Sequence, residues 1–226
     1  MAITVPAHKL AFMALPKSGC TSVKRALAQV DPDVAQEDTA EVMVWHGVYQ
    51  TRRFRPDRWD ALSDHFRFCV IRDPIKRLMS CYSDLVAQRD ALGNSKRLRR
   101  VPKLATNPDP DYFFTNFEAY KRRSSVIKHH AISAGVFVGT DLQGNYDRVY
   151  KTNEMDELGH DLSVRTGQVV QMPHSNSTRR KLDISDLLDE TIDILRPFLD
   201  QEYEIFRGYF ANPLGPKIHA ACAMPV

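Results

Sequence analysis

The sequence has few of the features that mark membrane-bound or exported proteins. Its apolar runs are short, and none approaches the roughly 20 residues that a membrane-spanning helix needs. Residues 1–6 lack both the basic start and the long apolar stretch of a secretory signal. Taken as a full natural chain, the sequence therefore predicts a cytoplasmic protein without a transmembrane segment.

Cysteine is scarce, and its spacing carries no metal or disulfide signature. The four cysteines are Cys20, Cys69, Cys81 and Cys222, and no two of them form a C-x-x-C pair. None lies at a metal-ligand spacing from a histidine, so we expect neither a metal site nor a disulfide framework. Cys20 lies at the start of a predicted helix, where its thiol pKa would be lowered. A small residue that fits the turn is the simpler interpretation.

Charge of one sign is not in large excess either. The chain has 31 Lys and Arg residues against 28 Asp and Glu residues, which gives a net charge of only +3. A general nucleic-acid binder carries a larger positive excess, so nucleic acid is an unlikely partner. Basic clusters, such as the one at 96–103, nevertheless favour one positive face.

Size and element order favour a single α/β domain over residues 1–226. Of these residues 43% are hydrophobic, enough to bury a substantial core. Strand and helix patterns alternate along the chain, which is typical of a mostly parallel sheet flanked by helices. A basic and aromatic insertion at about 88–130 is predicted to be less regular, with one short aromatic helix at 111–120. The remaining candidates are strands at 136–139 and 148–150, a helix at 154–165 ended by Gly167, and a helix at 186–196 ended at Pro197.

The first chemical motif connects a strand to a helix. The apolar run at 10–15 predicts a buried strand, and apolar residues from Val23 to Val30 recur at helical spacing. Such a loop offers backbone N–H groups, hydroxyls and a cation to an anion. In nucleotide triphosphatase loops an upstream glycine precedes a late lysine, and this loop lacks that arrangement. Its residues are Pro16, Lys17, Ser18, Gly19, Cys20, Thr21 and Ser22.

The second motif follows another apolar run, at 66–71. Asp73 is a candidate N-cap and Pro74 a candidate first helical residue. Apolar residues then recur at Ile75, Leu78, Met79 and Tyr82, so this face of the helix is expected to pack on the sheet. Lys76, Arg77 and Ser80 are predicted on the opposite side. Arg72 and Ser80 are therefore placed to bind a second phosphate.

These motifs, in this order, resemble those of the sulfotransferases that use 3′-phosphoadenosine 5′-phosphosulfate (PAPS). The first loop is similar to their 5′-phosphosulfate loop, and Arg72-Asp73-Pro74-x-x-Arg77-Leu78-x-Ser80-x-Tyr82 to their 3′-phosphate motif. The likeness is closest to the carbohydrate enzymes of the heparan and chondroitin branch, and the missing membrane anchor suggests a bacterial relative. It extends over about residues 8–210, but residues 88–130 match nothing specific.

The resemblance implies a P-loop-like three-layer α/β fold and a reaction. A sulfuryl group would pass from PAPS to a hydroxyl, most simply of a carbohydrate, without a metal, leaving 3′-phosphoadenosine 5′-phosphate (PAP). Lys17 would neutralise charge on the bridging oxygen, while the rest of the first loop holds the 5′ end. Arg72 and Ser80 would bind the 3′-phosphate. Three residues of a later basic loop would close over the nucleotide: Thr178, Arg179 and Arg180.

His46 is the best candidate for the base that takes the acceptor's proton. It lies between the two motifs, in a His-Gly context similar to that of the catalytic histidine in related carbohydrate sulfotransferases. A neutral imidazole near pH 7 suits this role. Glu41 and Asp64 are the carboxylate alternatives, while His65, His129 and His130 are interpreted as structural.

Two other classes of function stay open on the sequence alone. A nucleotide-dependent kinase shares a strand, loop and helix core, but it would need magnesium. A non-catalytic nucleotide- or glycan-binding protein would keep Arg72 and Ser80 without a competent base. The sequence does not reveal the acceptor or the oligomeric state.

Overall fold

The computed structural model describes residues 2–34, 42–100, 104–173 and 181–215. Within them, four strands form one sheet in the order β1-β2-β3-β4. β1 is antiparallel to β2, whereas β2, β3 and β4 are parallel, with Leu10 opposite Phe66 and Phe68 opposite Arg148. The strands are β1 (Ile3–Val5), β2 (Leu10–Met13), β3 (Phe66–Ile71) and β4 (Arg148–Lys151). The predicted mostly parallel sheet is confirmed, as are the predicted strands at its centre.

Alternation along the strands sends side chains to two apolar layers. Phe12, Phe68 and Tyr150 lie on one face, against helices α1 (Cys20–Ala28), α2 (Val42–Val48) and α10 (Met155–Thr166). Met13 and Ile71 lie on the other face. That face is covered by residues of α3 (Pro56–Asp60), α8 (Gly135–Val138), α9 (Leu142–Asn145) and the end of α11 (Asp189–Ile205). Helices therefore flank both faces of the sheet, as predicted.

A third apolar cluster lies beside the sheet and includes much of the segment expected to be irregular. The segment contains α5 (Pro110–Thr115), α6 (Phe117–Arg123) and α7 (Ser125–Ala131). Phe113, Phe114 and Tyr120 are fully buried there, against α4 (Pro74–Cys81) and α11. The predicted aromatic helix at 111–120 is present as two short helices, α5 and α6. The segment from 110 to 131 is more regular than predicted, because Phe113, Phe114, Phe117 and Tyr120 supply a core of their own.

Two further sequence predictions were wrong. Residues 136–139 form α8 and its C-cap rather than a strand, because Phe137 and Val138 donate backbone hydrogen bonds to Ala134 O and are buried in the same apolar cluster as Trp59. A short apolar run does not separate a strand from a buried helix turn. Pro197 lies inside α11 instead of ending a helix. A proline inside a helix costs roughly 3 kcal/mol, which the buried face of α11 offsets through side chains on both sides of Pro197, among them Leu195 and Leu199.

The helix predicted at 154–165 is confirmed as α10. α10 ends at Gly167 in the left-handed conformation, as the sequence indicated. No helix in the described part of the chain is long and apolar enough to cross a membrane. Cys20, Cys69 and Cys81 are buried free thiols, while Cys222 lies outside the described residues.

Candidate active site

The two predicted anion motifs meet in one cleft at the carboxyl ends of the parallel strands. Ligands of open α/β sheets bind at this edge. The cleft has a volume of about 760 Å³, and it is lined by the first loop, by the second motif and by His46. The loop contributes Pro16, Lys17, Gly19, Cys20, Thr21 and Ser22, and the second motif contributes Arg72, Lys76 and Ser80.

The first loop turns sharply into the N-terminus of α1. Lys17 and Gly19 have φ angles of 67° and 73°, both in the left-handed region. Glycine adopts this conformation without strain, whereas lysine does so rarely. Ser18 lies between them and does not line the cleft; its hydroxyl is buried and has no hydrogen-bond partner within the described residues. The structure therefore brings every residue of the predicted loop to the cleft except Ser18.

Lys17 is paired with a carboxylate that the sequence analysis missed. Its Nζ lies 2.6 Å from Asp84 Oδ2, and Arg89 Nε lies 2.8 Å from the other oxygen. Burial alone would raise the pKa of Asp84, but the hydrogen bond and charge of Lys17, with help from Arg89, hold it below its usual value. Asp84 is brought there by a π-helical segment, Tyr82–Gln88, that continues α4. Such segments are frequent at functional sites.

The second motif positions Arg72 at the end of β3. Its Nη1 donates to the backbone oxygen of Lys17 over 3.2 Å, which links the two motifs directly. Burial lowers the pKa of Arg72, with Asp73 acting in the opposite direction. Asp73 caps α4 by accepting from Lys76 N, as predicted, and accepts a second hydrogen bond from Tyr203 Oη.

Arg77 does not lie on the cleft side of α4, so its predicted placement beside Lys76 and Ser80 is wrong. Its guanidinium is buried and lies 2.7 Å from Glu202 of α11. The motif arginine therefore stabilises the packing of two helices, whereas Ser80 does line the cleft.

His46 projects from α2 toward the first loop. Its Nε2 lies 3.5 Å from Thr21 Oγ1, and its Nδ1 lies 3.0 Å from Lys24 Nζ. Burial, and secondarily the positive charge of Lys24, lower the pKa of His46 to about 4. The ring is therefore neutral at pH 7, as a proton acceptor must be.

Two other histidines reach the cleft from α7, although the sequence analysis interpreted them as structural. His129 and His130 both line it. His130 Nδ1 lies 2.9 Å from the carbonyl oxygen of Val126 and donates to it, and burial lowers the pKa of His130 to about 4. The adjacent pair of histidines was the available signal, but nothing in the sequence relates α7 to the first loop.

The other predicted site residues do not reach the cleft or are not described. Asp64 is exposed, contacts Lys9 and His65 and does not line the cleft. Cys20 lines it, but burial raises the pKa of its thiol, contrary to the expected lowering. Glu41 and the basic loop with Thr178, Arg179 and Arg180 lie outside the described residues. No group of three metal-ligating side chains is found in the described ranges.

The site consists of an anion loop between a strand and a helix, with an arginine from the end of the next strand beside it. This arrangement is typical of proteins that bind phosphate or sulfate esters. The family model described as "Sulfotransferase family" matches residues 1–209. The chain therefore belongs to the sulfotransferase family, whose reaction is sulfuryl transfer. No curated protein and no solved structure matches it.

Proposed function

We propose that the protein transfers a sulfuryl group from PAPS to a hydroxyl group, with a carbohydrate as the preferred acceptor class. The observation that carries the proposal is the convergence of Lys17, Arg72, Ser80 and His46 in one cleft. The family generally uses PAPS as the donor, which agrees with two separate anion motifs at one sheet edge. The strand, loop and helix would then form a P-loop-like cradle.

The residues present fit a nucleotide with phosphate groups at two positions. Lys17, Thr21, Ser22 and the N-terminus of α1 offer a cation, hydroxyls and N–H groups to a 5′ group. Arg72 and Ser80, which line the same cleft, would select a 3′-phosphate. When bound, the donor supplies a sulfuryl group activated by a phosphate leaving group. Lys17 would then release Asp84 and stabilise the negative charge that develops on that leaving group.

His46 is proposed as the base. Its neutral ring borders the cleft beside Thr21, where an acceptor hydroxyl can approach the sulfuryl group. General base catalysis typically contributes about 10²- to 10⁴-fold in rate. Of the carboxylate alternatives, Asp64 does not line the cleft, so it does not meet an acceptor bound there.

Thermal unfolding with nucleotides tests the donor site. We expect PAP to raise the unfolding midpoint without magnesium, and AMP, ADP and ATP to have much smaller effects. A ligand at about 100 times its Kd adds roughly 2.7 kcal/mol, which corresponds to about 5 to 10 °C for a chain of this size. Lys17→Ala and Arg72→Ala should lose the shift.

Arg207→Ala is the matched control, since Arg207 is an exposed cation that does not line the cleft. It should keep the shift. A shift produced only by ATP with magnesium would contradict the proposal and favour a kinase. Binding of PAP without transfer to any hydroxyl acceptor from PAPS would favour a non-catalytic binding protein.

A further inference from the structure

Lys24 is a buried lysine on the face of α1 that points toward α2. Its side chain has no exposed surface. Its Nζ lies 3.0 Å from His46 Nδ1 and donates to Thr51 Oγ1 over 2.9 Å. No carboxylate within the described ranges forms an ion pair with it. A buried ammonium without a counter-charge is unfavourable, so burial lowers the pKa of Lys24, with Cys20 acting in the opposite direction.

The protonation state of Lys24 decides whether Nδ1 of His46 can carry hydrogen. An ammonium has donors and no lone pair, so it donates to Nδ1 and places the ring hydrogen on Nε2. The ring then faces Thr21 and the cleft as a donor, and it cannot accept a proton there. A neutral amine has a lone pair as well as N–H donors, so only in this form can Lys24 accept from an Nδ1–H and leave Nε2 free as an acceptor.

We propose that Lys24 is the positioning residue of His46, and that sulfuryl transfer requires its neutral amine to hold the Nδ1–H tautomer and receive the Nδ1 proton. The proposal rests on the proposed function, with His46 as the base. As the acceptor oxygen bonds to sulfur, its proton moves to Nε2, and the Nδ1 proton moves to Lys24 Nζ. The sulfur–oxygen bond to phosphate breaks, and PAP leaves with the electron pair.

The neutral amine of Lys24 compensates for the weak basicity of His46. A ring with a pKa near 4 is a weak base on its own, chiefly because burial disfavours the imidazolium. With the amine as the final proton acceptor, His46 is neutral before and after transfer. The positive charge then resides on Lys24, which returns its proton to Nδ1 as Nε2 releases its proton to solvent at the cleft, so that the starting tautomer is restored.

The sign of the pH dependence follows from the groups that face Lys24. His46 on α2 and His129 on α7 have lowered pKa values and are neutral near pH 7. Burial raises the pKa of the Cys20 thiol on α1, with the charges of Lys24 and Lys17 acting in the opposite direction. Turnover should therefore rise with pH to a plateau as Lys24 loses its proton, at a midpoint below the ordinary lysine value of about 10.4.

The test is the tautomer of His46, observed by NMR of protein labelled with ¹⁵N-histidine, without nucleotide or acceptor. The resonances of His46 are assigned by their loss in His46→Gln. As pH rises from about 6 to 10.5, across the range below the ordinary lysine pKa, Nδ1 should change from the unprotonated to the protonated type. Lys24→Met, which keeps length and burial but has no nitrogen, should show no such change. In Cys20→Ala the change should persist.

Kinetics supply the second readout. Lys24→Met should lose about 10²-fold in kcat, the low end for a general base, together with the alkaline rise, while its shift with PAP persists. A His46 tautomer that stays constant across the titration in the wild type, or that switches equally in Lys24→Met, would overturn the proposal. Failure of PAP to bind would overturn the proposed function instead, and it would leave the NMR result unchanged. If Lys24→Met does not fold, the wild-type titration remains a test, since a His46 tautomer that does not change with pH overturns the proposal by itself.

Discussion

Replacing Arg77 by methionine should destabilise the protein strongly, although Arg77 lies within the 3′-phosphate motif. Its side chain is 3% exposed and that of Glu202 is 1% exposed. Arg77 also donates to the backbone oxygen of Ile132 over 2.9 Å. Glu202 in turn accepts from Ala134 N at 3.0 Å. The substitution leaves a buried carboxylate with a single backbone N–H as its described partner.

The expected cost is about 3–5 kcal/mol, the range for removing one partner of a buried ion pair. For chains of 150–250 residues, each kcal/mol lowers Tm by roughly 2–4 °C. The drop in Tm for Arg77→Met is therefore about 6 to 20 °C. Urea denaturation followed by circular dichroism measures the free energy of unfolding directly, with an unchanged m-value as the check that the transition stays two-state.

The double variant Arg77→Met, Glu202→Leu separates the ion pair from simple packing. Replacing both charges by apolar side chains should recover most of the lost stability, since the stranded charge is then gone. PAP affinity, measured well below Tm, should change little in all of these variants. A single substitution costing under about 1 kcal/mol, below the range given for buried pairs, would refute the reasoning. A loss of PAP binding at unchanged stability would place Arg77 in the anion site.

Three further predictions concern the cleft. Asp84→Asn removes the charge that pairs with Lys17, so PAP should bind more tightly by isothermal calorimetry; weaker binding would make Asp84 a ligand-positioning residue instead. Gly19→Ala should lower the free energy of unfolding by about 1–2 kcal/mol in urea denaturation, because residue 19 has a left-handed conformation. The added Cβ would lie 3.4 Å from Met155 Cε, an ordinary contact, so the cost comes from the backbone. An unchanged free energy of unfolding would contradict this. His46→Gln should retain PAP binding and lose about 10²- to 10⁴-fold in kcat, whereas unchanged turnover would move the base to a carboxylate.

The sequence predicted the parts of the site that are local. Arg72 follows a strand, Asp73 caps the next helix and Pro74 begins it, all as predicted, because capping and strand-end geometry depend on a few neighbouring residues. The first loop was predicted for the same reason. Both motifs lie together because carboxyl ends of parallel strands share one edge of the sheet.

What the sequence did not reveal depends on contacts between distant residues. Asp84 reaches Lys17 across 67 residues, and its position results from a π-helical segment that no periodicity indicated. Arg77 meets Glu202 across 125 residues, so its burial was invisible to a helical-wheel argument based on α4 alone. Lys24 drew no prediction from the sequence, because its burial depends on α2, which packs over it.

The central claim is that this cleft binds a 3′-phosphorylated sulfate donor. Isothermal titration of the wild-type protein with PAP, and separately with ADP, both without magnesium, tests it most directly. The account predicts one PAP site and far weaker binding of ADP, with the PAP affinity lost in Arg72→Ala and kept in Arg207→Ala. Equal affinities for PAP and ADP, or PAP binding that survives Arg72→Ala, would contradict it.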